Sequence, residues 1–199
     1  CAIVGLYESG LLSAAAAQID AALGGRIARM VKRRDARGKL GECTLLDADH
    51  APCERVLLVG LGKKEGYGRK QYKKAMLAAA GAVAKTGARD AVSYLSAEPV
   101  LATDAYYRGR LAAESVGSAL YRVPAIRSTR PAAAAALKSF GIAVPERDQR
   151  QEAERGLEHG RAIAAGASFT RDLAVDPDRG AELADLDGDL LEAAPKEGQ

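Results

Sequence analysis

The stretch Val56-Leu57-Leu58-Val59-Gly60-Leu61-Gly62 decides the class of fold. Four consecutive branched aliphatic residues followed by two spaced glycines predict a strand that is buried on both faces and ends in a tight turn. Such a strand needs helices on both sides of its sheet, because neither face can be left to water.

The residues that follow this strand have the pattern of an amphipathic helix. Apolar side chains recur at helical intervals along one stripe, namely Tyr72, Met76, Ala79, Ala80 and Val83. A second aliphatic run, Ala91 to Leu95, comes next. Strand, glycine turn, helix and strand make a βαβ unit, which predicts an α/β fold.

Further elements are predicted on either side of this unit. Serine, threonine and aspartate residues before apolar periodic runs are typical helix starts, and Thr103 is the predicted N-cap of one helix. The predicted elements are strand Ala2 to Tyr7, helices Leu11 to Leu23 and Arg26 to Arg34, strand Thr44 to Asp47, a helix through Tyr121, strand Phe140 to Val144 and helix Gln151 to Leu173.

Charge is distributed unevenly along the 199 residues. Residues 1–171 hold 27 Lys and Arg against 17 Asp and Glu, whereas residues 172–199 hold 2 against 9. The last segment also has few apolar residues with which to pack. We therefore predict one domain over residues 1–173 and an acidic linker or frayed tail over residues 174–199.

Three features bear on the compartment. No apolar run approaches the roughly 20 residues of a membrane helix, so no membrane partner is expected. The three cysteines, Cys1, Cys43 and Cys53, are odd in number and lack metal-type spacing, which favours reduced thiols of a cytoplasmic protein. The first residue is not Met, and no signal peptide is visible.

The glycine turn after the strand invites an anion-site interpretation. Gly60 and Gly62 precede a helix, where backbone N–H groups and the helix dipole favour phosphate. However, Glu65 stands where the dinucleotide fingerprint requires its third glycine, and the lysine and hydroxyl of a phosphate-binding loop are missing. The sequence therefore argues against a nucleotide site.

No other pattern points to catalysis. His50 and His159 are far apart, and we expect both to be surface residues. The serines match no nucleophile-elbow pattern, and the tail carboxylates match no calcium loop. We accordingly predict neither a catalytic nor a metal-binding residue in this chain.

Basic residues are the remaining candidates. One cluster spans residues 26–39, and the other consists of Lys63, Lys64, Arg69, Lys70, Lys73 and Lys74, with Tyr67 and Tyr72 between its members. On one face, the two clusters would form a stripe able to contact nucleic-acid phosphates. The simpler interpretation, which we favour, is a solvated surface that keeps the protein soluble.

The order of these motifs resembles the N-terminal domain of the cytosol (leucine) aminopeptidase family. The resemblance is carried by Gly5, by Gly38-Lys39, by the Val56 to Gly62 strand with its Tyr72 helix, and by the helix end Gly166 to Leu173. It spans residues 1–173. After Leu173 the family continues with an Asn-x-Pro segment, whereas this chain reads Ala-Val-Asp-Pro-Asp.

The resemblance implies a three-layer, macro-domain-like fold with a mixed sheet and helices on both faces. It also implies a role beside a catalytic domain that binds two divalent metals, Mn or Zn, in a homohexameric peptidase. The catalytic motifs of that family, which resemble GKGxTFDSGG and NTDAEGR, are absent from this sequence. No family site residue can be transferred, and we expect no cofactor in this chain.

Two functions of different class therefore stay open. The first is a non-catalytic domain that positions an aminopeptidase catalytic domain and aids oligomer assembly. The alternative is a free-standing interaction module or a DNA-binding domain that uses its basic surface. A reading frame that continues into a metal-binding domain would favour the first.

Overall fold

The stretch Val56 to Gly62 lies within strand β3, Arg55–Gly62, of a five-stranded sheet. The computed structural model describes residues 1–48, 53–121 and 137–175. The predictions for His50 and for the tail beyond Val175 lie outside these ranges. The remaining strands are β1 (Ala2–Tyr7), β2 (Cys43–Asp47), β4 (Asp90–Ser93) and β5 (Ser139–Ile142).

The sheet is mixed, with the strand order β2-β3-β1-β4-β5. β2 pairs antiparallel with β3, and the other three pairs of neighbours are parallel. The helices are α1 (Ala14–Ala22), α2 (Arg26–Arg33), α3 (Arg69–Val83), α4 (Ala105–Leu120) and α5 (Arg150–Val175). The predicted βαβ unit is β3-α3-β4, with β1 inserted between its two strands.

Each face of β3 contributes to a different apolar core. Leu57, Val59 and Leu61 point to a core shared with α3 and α4. Val56 and Leu58 point to a second core that includes Ala16 of α1 and Ile27 of α2. The predicted class, an α/β fold with a mixed sheet and helices on both faces, is confirmed.

The packing of α3 follows its predicted stripe. All five stripe residues, Tyr72, Met76, Ala79, Ala80 and Val83, are fully buried. Lys70, Lys73 and Lys74 are exposed on the opposite side. This division is what a helix of 3.6-residue period produces when one side of it covers a sheet.

The start of α4 differs from the prediction by one residue. The N-cap is Asp104, whose carboxylate accepts a hydrogen bond from the backbone N–H of Tyr107 at 2.8 Å. The hydroxyl of Thr103 instead donates to the carbonyl of Val100 at 2.7 Å. Both side chains are good caps, and the carboxylate also interacts favourably with the helix dipole.

Helix α5 packs along α4 through small residues in its first half. A Cβ at Gly156 would overlap the carbonyl of Tyr106, and one at Gly160 would overlap the carbonyl of Arg110. The two helices therefore approach with backbone nearly in contact. α5 continues two residues beyond the predicted boundary at Leu173, and the division into a domain and a tail stays a prediction.

We predict that Val59→Asp abolishes cooperative folding. Val59 is fully buried, so its carboxylate would lack any partner in an apolar layer, at a cost of about 3 kcal/mol or more. The matched control is Lys70→Asp. Lys70 is exposed in the first turn of α3, where the helix dipole tolerates an acidic residue, and the change should cost under about 0.5 kcal/mol. Urea unfolding monitored by circular dichroism measures both, and equal losses would contradict the assignment of faces.

Candidate functional site

The six basic residues of the predicted nucleic-acid surface are exposed but have different surroundings. The guanidinium of Arg69 lies 4.3 Å from the ring centroid of Tyr107, and its Nε donates to the carbonyl of Ala102. Lys73 Nζ lies 3.3 Å from a carboxylate oxygen of Glu114, which also accepts from Arg110. Two of the six are thus engaged with α4 and the loop before it.

The other four basic residues, all lysines, have different neighbours. Lys64 Nζ lies 5.9 Å from the ring centroid of Tyr7, at the carboxyl end of the sheet. Lys74 lies beside Gly41, on the flank of α3 that faces β2. Lys63 and Lys70 hydrogen-bond through their side chains to none of the residues the structure describes. A nucleic-acid contact by these six residues stays a prediction.

The two basic clusters do not share one helical layer. α2, which carries Arg26, Arg29, Lys32 and Arg33, packs on the face of the sheet opposite to α3. The loop after α2 approaches the start of the second cluster, since Gly62, next to Lys63, donates its N–H to the carbonyl of Gly38. A single stripe over both helices is therefore not formed.

The two spaced glycines, predicted to form a tight turn, lie within the end of β3 and bond to backbone, which leaves little for an anion. The N–H of Gly60 donates to the carbonyl of Glu42 at 2.8 Å, and that of Gly62 to the carbonyl of Gly38 at 2.9 Å. A Cβ at Gly60 would overlap the carbonyl of Lys39. These glycines therefore let the 38–41 loop lie directly on β3, a role that glycine fills because it has no side chain.

A buried polar group lies at the carboxyl end of the sheet. The hydroxyl of Tyr7, the last residue of β1, donates to Glu98 Oε2 at 2.9 Å. The backbone N–H of Ala14 donates to Glu98 Oε1 at 3.1 Å, which ties the start of α1 to the segment after β4. Sequence reasoning missed this pair because its members are 91 positions apart and neither belongs to a motif.

A second buried tyrosine packs against the first. The rings of Tyr7 and Tyr67 meet edge to face, with centroids 5.9 Å apart. The hydroxyl of Tyr67 is buried and hydrogen-bonds to none of the described residues. Burial raises the pKa of both phenols well above the ordinary value of about 10, and the Glu98 carboxylate raises that of Tyr7 further.

Side chains that ligate metals are scattered through the described parts of the chain. Among residues 1–48, 53–121 and 137–175, no three His, Cys, Asp or Glu side chains are grouped so as to hold an ion. His159 Nδ1 lies 3.0 Å from the hydroxyl of Tyr106, on the exposed surface between α4 and α5. Cys43 is half-buried, and burial raises the pKa of its thiol.

An apolar surface follows the second half of α5. Ala162 to Phe169 contains no charged residue, and its only polar side chain is Ser168. No residue from 161 to 174 is buried; the exposed fractions are 43% for Ile163 and 50% for Phe169. Beside it, an open groove of about 340 Å³ is lined by Val116, Phe140, Ile142, Leu157 and Ala164, among others.

The described residues also contain no helix long and apolar enough to cross a bilayer. The fold and its surfaces thus define an α/β domain with polar groups buried at the carboxyl end of its sheet and an exposed apolar surface on α5. Residues 3–130 match the family model described as cytosol aminopeptidase family, N-terminal domain. The chain belongs to this family, as its sequence motifs predicted.

Its relatives are longer proteins. It is 35% identical over 178 residues to a probable cytosol aminopeptidase of Actinobacillus pleuropneumoniae serotype 5b, a match that covers 89% of this chain and 36% of the relative. The corresponding protein of Chromobacterium violaceum is 36% identical over 174 residues, covering 87% and 33%. The chain thus spans about a third of the length of these curated relatives.

Solved structures confirm the fold. A point mutant of tomato leucine aminopeptidase superposes with a TM-score of 0.65 at 21% identity, over 86% of this chain and 34% of that one. The bottromycin maturation enzyme BotP in complex with Mn superposes with a TM-score of 0.60 at 23% identity, over 86% and 31%.

We predict opposite results for the removal of the two buried hydroxyls. Tyr7→Phe leaves Oε2 of the buried Glu98 carboxylate without its donor and should cost about 1 to 3 kcal/mol of unfolding free energy. Tyr67→Phe removes a buried hydroxyl that has no described partner, so it should be neutral or stabilising. Urea titration of both variants makes the comparison, and a larger loss for Tyr67→Phe would contradict the geometry.

Stability should also fall in alkaline solution. Burial raises the pKa of Tyr7, Tyr67 and Tyr72 in the folded protein, so above about pH 10 only the unfolded chain ionises these phenols. Their contribution is complete below that pH and is lost as the pH rises, by up to about 1.4 kcal/mol per pH unit for each phenol. Urea titrations from about pH 8 to about pH 11 measure the slope. Tyr67→Phe should reduce it, and an unchanged slope would argue against burial.

Proposed function

We propose that this chain is the non-catalytic N-terminal domain of a leucyl aminopeptidase, a cytoplasmic metallopeptidase that releases N-terminal residues from peptides. In this proposal the domain positions the catalytic domain and aids assembly of the oligomer, a homohexamer. Two divalent ions, Mn or Zn, would be held by the catalytic domain. Membership of the family and the one-third coverage of its relatives support this role.

One structural observation carries the proposal. The second half of α5 is apolar, uncharged over eight residues and exposed on most of its sides. Helices that are apolar all round are normally buried, because exposed apolar area costs roughly 25 cal/mol per Å². One side of this second half stays beside α4, since Ala164 adjoins Gly117 and Asp172 accepts from the hydroxyl of Tyr121. Its outward apolar side is a suitable contact for the catalytic domain.

The charge and size of the adjacent surface fit the same role. The groove beside α5 is lined mostly by aliphatic and aromatic side chains, with Arg161 and Ser168 as its polar members. An apolar centre with few charges resembles the buried part of a permanent interface. The contact would orient the two domains through packing, while the chemistry stays with the metals of the catalytic domain.

The first test is the activity of the chain alone and joined to a catalytic domain. The chain alone should release no leucine from Leu-peptides with added Mn or Zn. Metal-assisted hydrolysis needs ions that polarise the carbonyl and activate water, and the described residues offer no group to hold them. In contrast, residues 1–175 substituted for the matching part of the Actinobacillus pleuropneumoniae relative should give an active, oligomeric peptidase. Chelator-sensitive hydrolysis by the pure chain would overturn the assignment.

Variants of the hybrid peptidase test the contact itself. Phe169→Asp should lower activity and the share of oligomer, measured by light scattering, because it places a charge in the apolar contact. Lys70→Asp is the control, since Lys70 is exposed on α3, away from α5. Equal effects of the two changes would contradict the proposed use of α5. The domain assignment would still be tested by the activity of the unmodified hybrid.

A further inference from the structure

Strand β2 forms one edge of the sheet. It pairs antiparallel with β3 on its inner side, and no strand of the described ranges pairs with its outer side. The N–H of Ala48, just after β2, donates to the carbonyl of Glu54, so every second residue before it also bonds to β3. The residues between these direct their backbone N–H and C=O groups to the open edge, namely Cys43, Leu45 and Asp47.

This edge has few of the features that usually prevent strand pairing. Natural edges are commonly protected by lysine, proline or a β-bulge. β2 reads Cys-Thr-Leu-Leu-Asp, its only charge is on its last residue, and its pairing with β3 shows no shift of register. The carbonyl of Asp47 accepts from the guanidinium of Arg26 at 2.9 Å and keeps a second lone pair. The outer edge can therefore accept another strand.

An apolar surface accompanies the open backbone groups. Cys43 packs against the core beneath α3, and side chains alternate along a strand, so Leu45 and Asp47 lie on the same face as Cys43. Leu45, at the centre of β2, is 46% exposed. A groove of about 480 Å³ runs between this end of β2 and α3, and Cys43, Lys74 and Leu77 are among its lining residues. The edge therefore offers both hydrogen bonds and apolar contact.

A second copy of β2 is complementary to this edge. When two identical strands pair antiparallel about a twofold axis at Leu45, the two Leu45 residues exchange hydrogen bonds, and each Cys43 lies opposite the partner's Asp47. The outward backbone groups of all three residues then have partners. The two Leu45 side chains meet on the α3 face, because side chains directly opposite each other lie about 5 Å apart at Cβ.

The same register brings opposite charges together. Lys74 and Asp47 are exposed, and neither forms an ion pair with a residue in the described ranges. The side chain of Lys74 passes close to Gly41, where its Cε would lie 3.8 Å from an added Cβ, and it lines the groove together with Cys43. Since the partner's Asp47 lies opposite Cys43 and on the same face, it approaches Lys74. The twofold axis forms this ion pair twice.

We propose that two copies of this domain associate through antiparallel pairing of their β2 strands, with Leu45 on the twofold axis and Lys74 paired with the partner's Asp47. The two sheets then form one continuous sheet. A twofold contact uses the same edge of both copies, so it closes at a dimer and leaves neither β2 edge open. The contact involves this domain alone, so it goes beyond the proposed role beside a catalytic domain and does not depend on it.

Sedimentation velocity of the full chain tests the contact. Between about 1 µM and about 1 mM, the range of weak to moderate affinities, we expect a monomer–dimer equilibrium. Leu45→Lys should weaken dimerisation several-fold, because it sets like charges directly opposite each other across the axis. Val92→Lys is the matched control, since Val92 is 41% exposed on β4, which β3 and β1 separate from β2. A monomer over the whole range, or equal weakening by both changes in folded protein, would overturn the proposal.

Exchange of the two charges tests the register. Asp47→Lys alone and Lys74→Asp alone should each weaken dimerisation several-fold, because each sets like charges against each other across the interface. An equimolar mixture of the two variants should dimerise several-fold more tightly than either alone, since both ion pairs of the mixed dimer then join a lysine to an aspartate. A mixture that dimerises no better than its components would contradict the register. Dimerisation lost in Phe169→Asp but kept in Leu45→Lys would place the contact on α5 and overturn the proposal.

Discussion

Burial of β3 on both faces is the constraint on which the rest of this domain depends. Leu57, Val59 and Leu61 need one apolar cover, and Val56 and Leu58 need another on the opposite side. Because parallel strands require crossover connections, helices α1 and α3 follow their strands onto opposite faces and supply those covers. Each remaining element either completes a core or lies along a helix that does.

At the carboxyl end of the sheet, close packing also fills the position where related α/β folds bind a ligand. In open α/β folds, ligands bind where neighbouring strands send their helices to opposite faces, which here is between β1 and β3. That position is filled by Tyr7 and Tyr67, and the N–H groups of Gly60 and Gly62 donate to backbone carbonyls. The same glycine spacing that suggests an anion site thus serves close packing of the 38–41 loop.

Secondary structure that follows from a repeating apolar pattern could be predicted, whereas contacts between distant parts of the chain could not. The stripe of α3 follows from its sequence, since its five apolar residues occupy one side of any helix they form. The choice of Asp104 over Thr103 as N-cap depends on how the chain enters the helix, where Asp104 accepts from Tyr107 and the hydroxyl of Thr103 donates to Val100, and local sequence does not specify this. The Tyr7–Glu98 bond joins positions 91 residues apart, so only the folded chain reveals it.

The long helix α5 links the interior of the domain to its surroundings. Its first half has Gly156 and Gly160 against the backbone of α4, and its second half stays beside α4 where Ala164 adjoins Gly117. Because the glycine contacts bring the two backbones together, a side chain at either glycine would overlap a carbonyl of α4. The exposed apolar run can therefore present a defined surface although no core of its own supports it. Packing on one side of a helix is thus what makes exposure of its other side useful for orienting a partner.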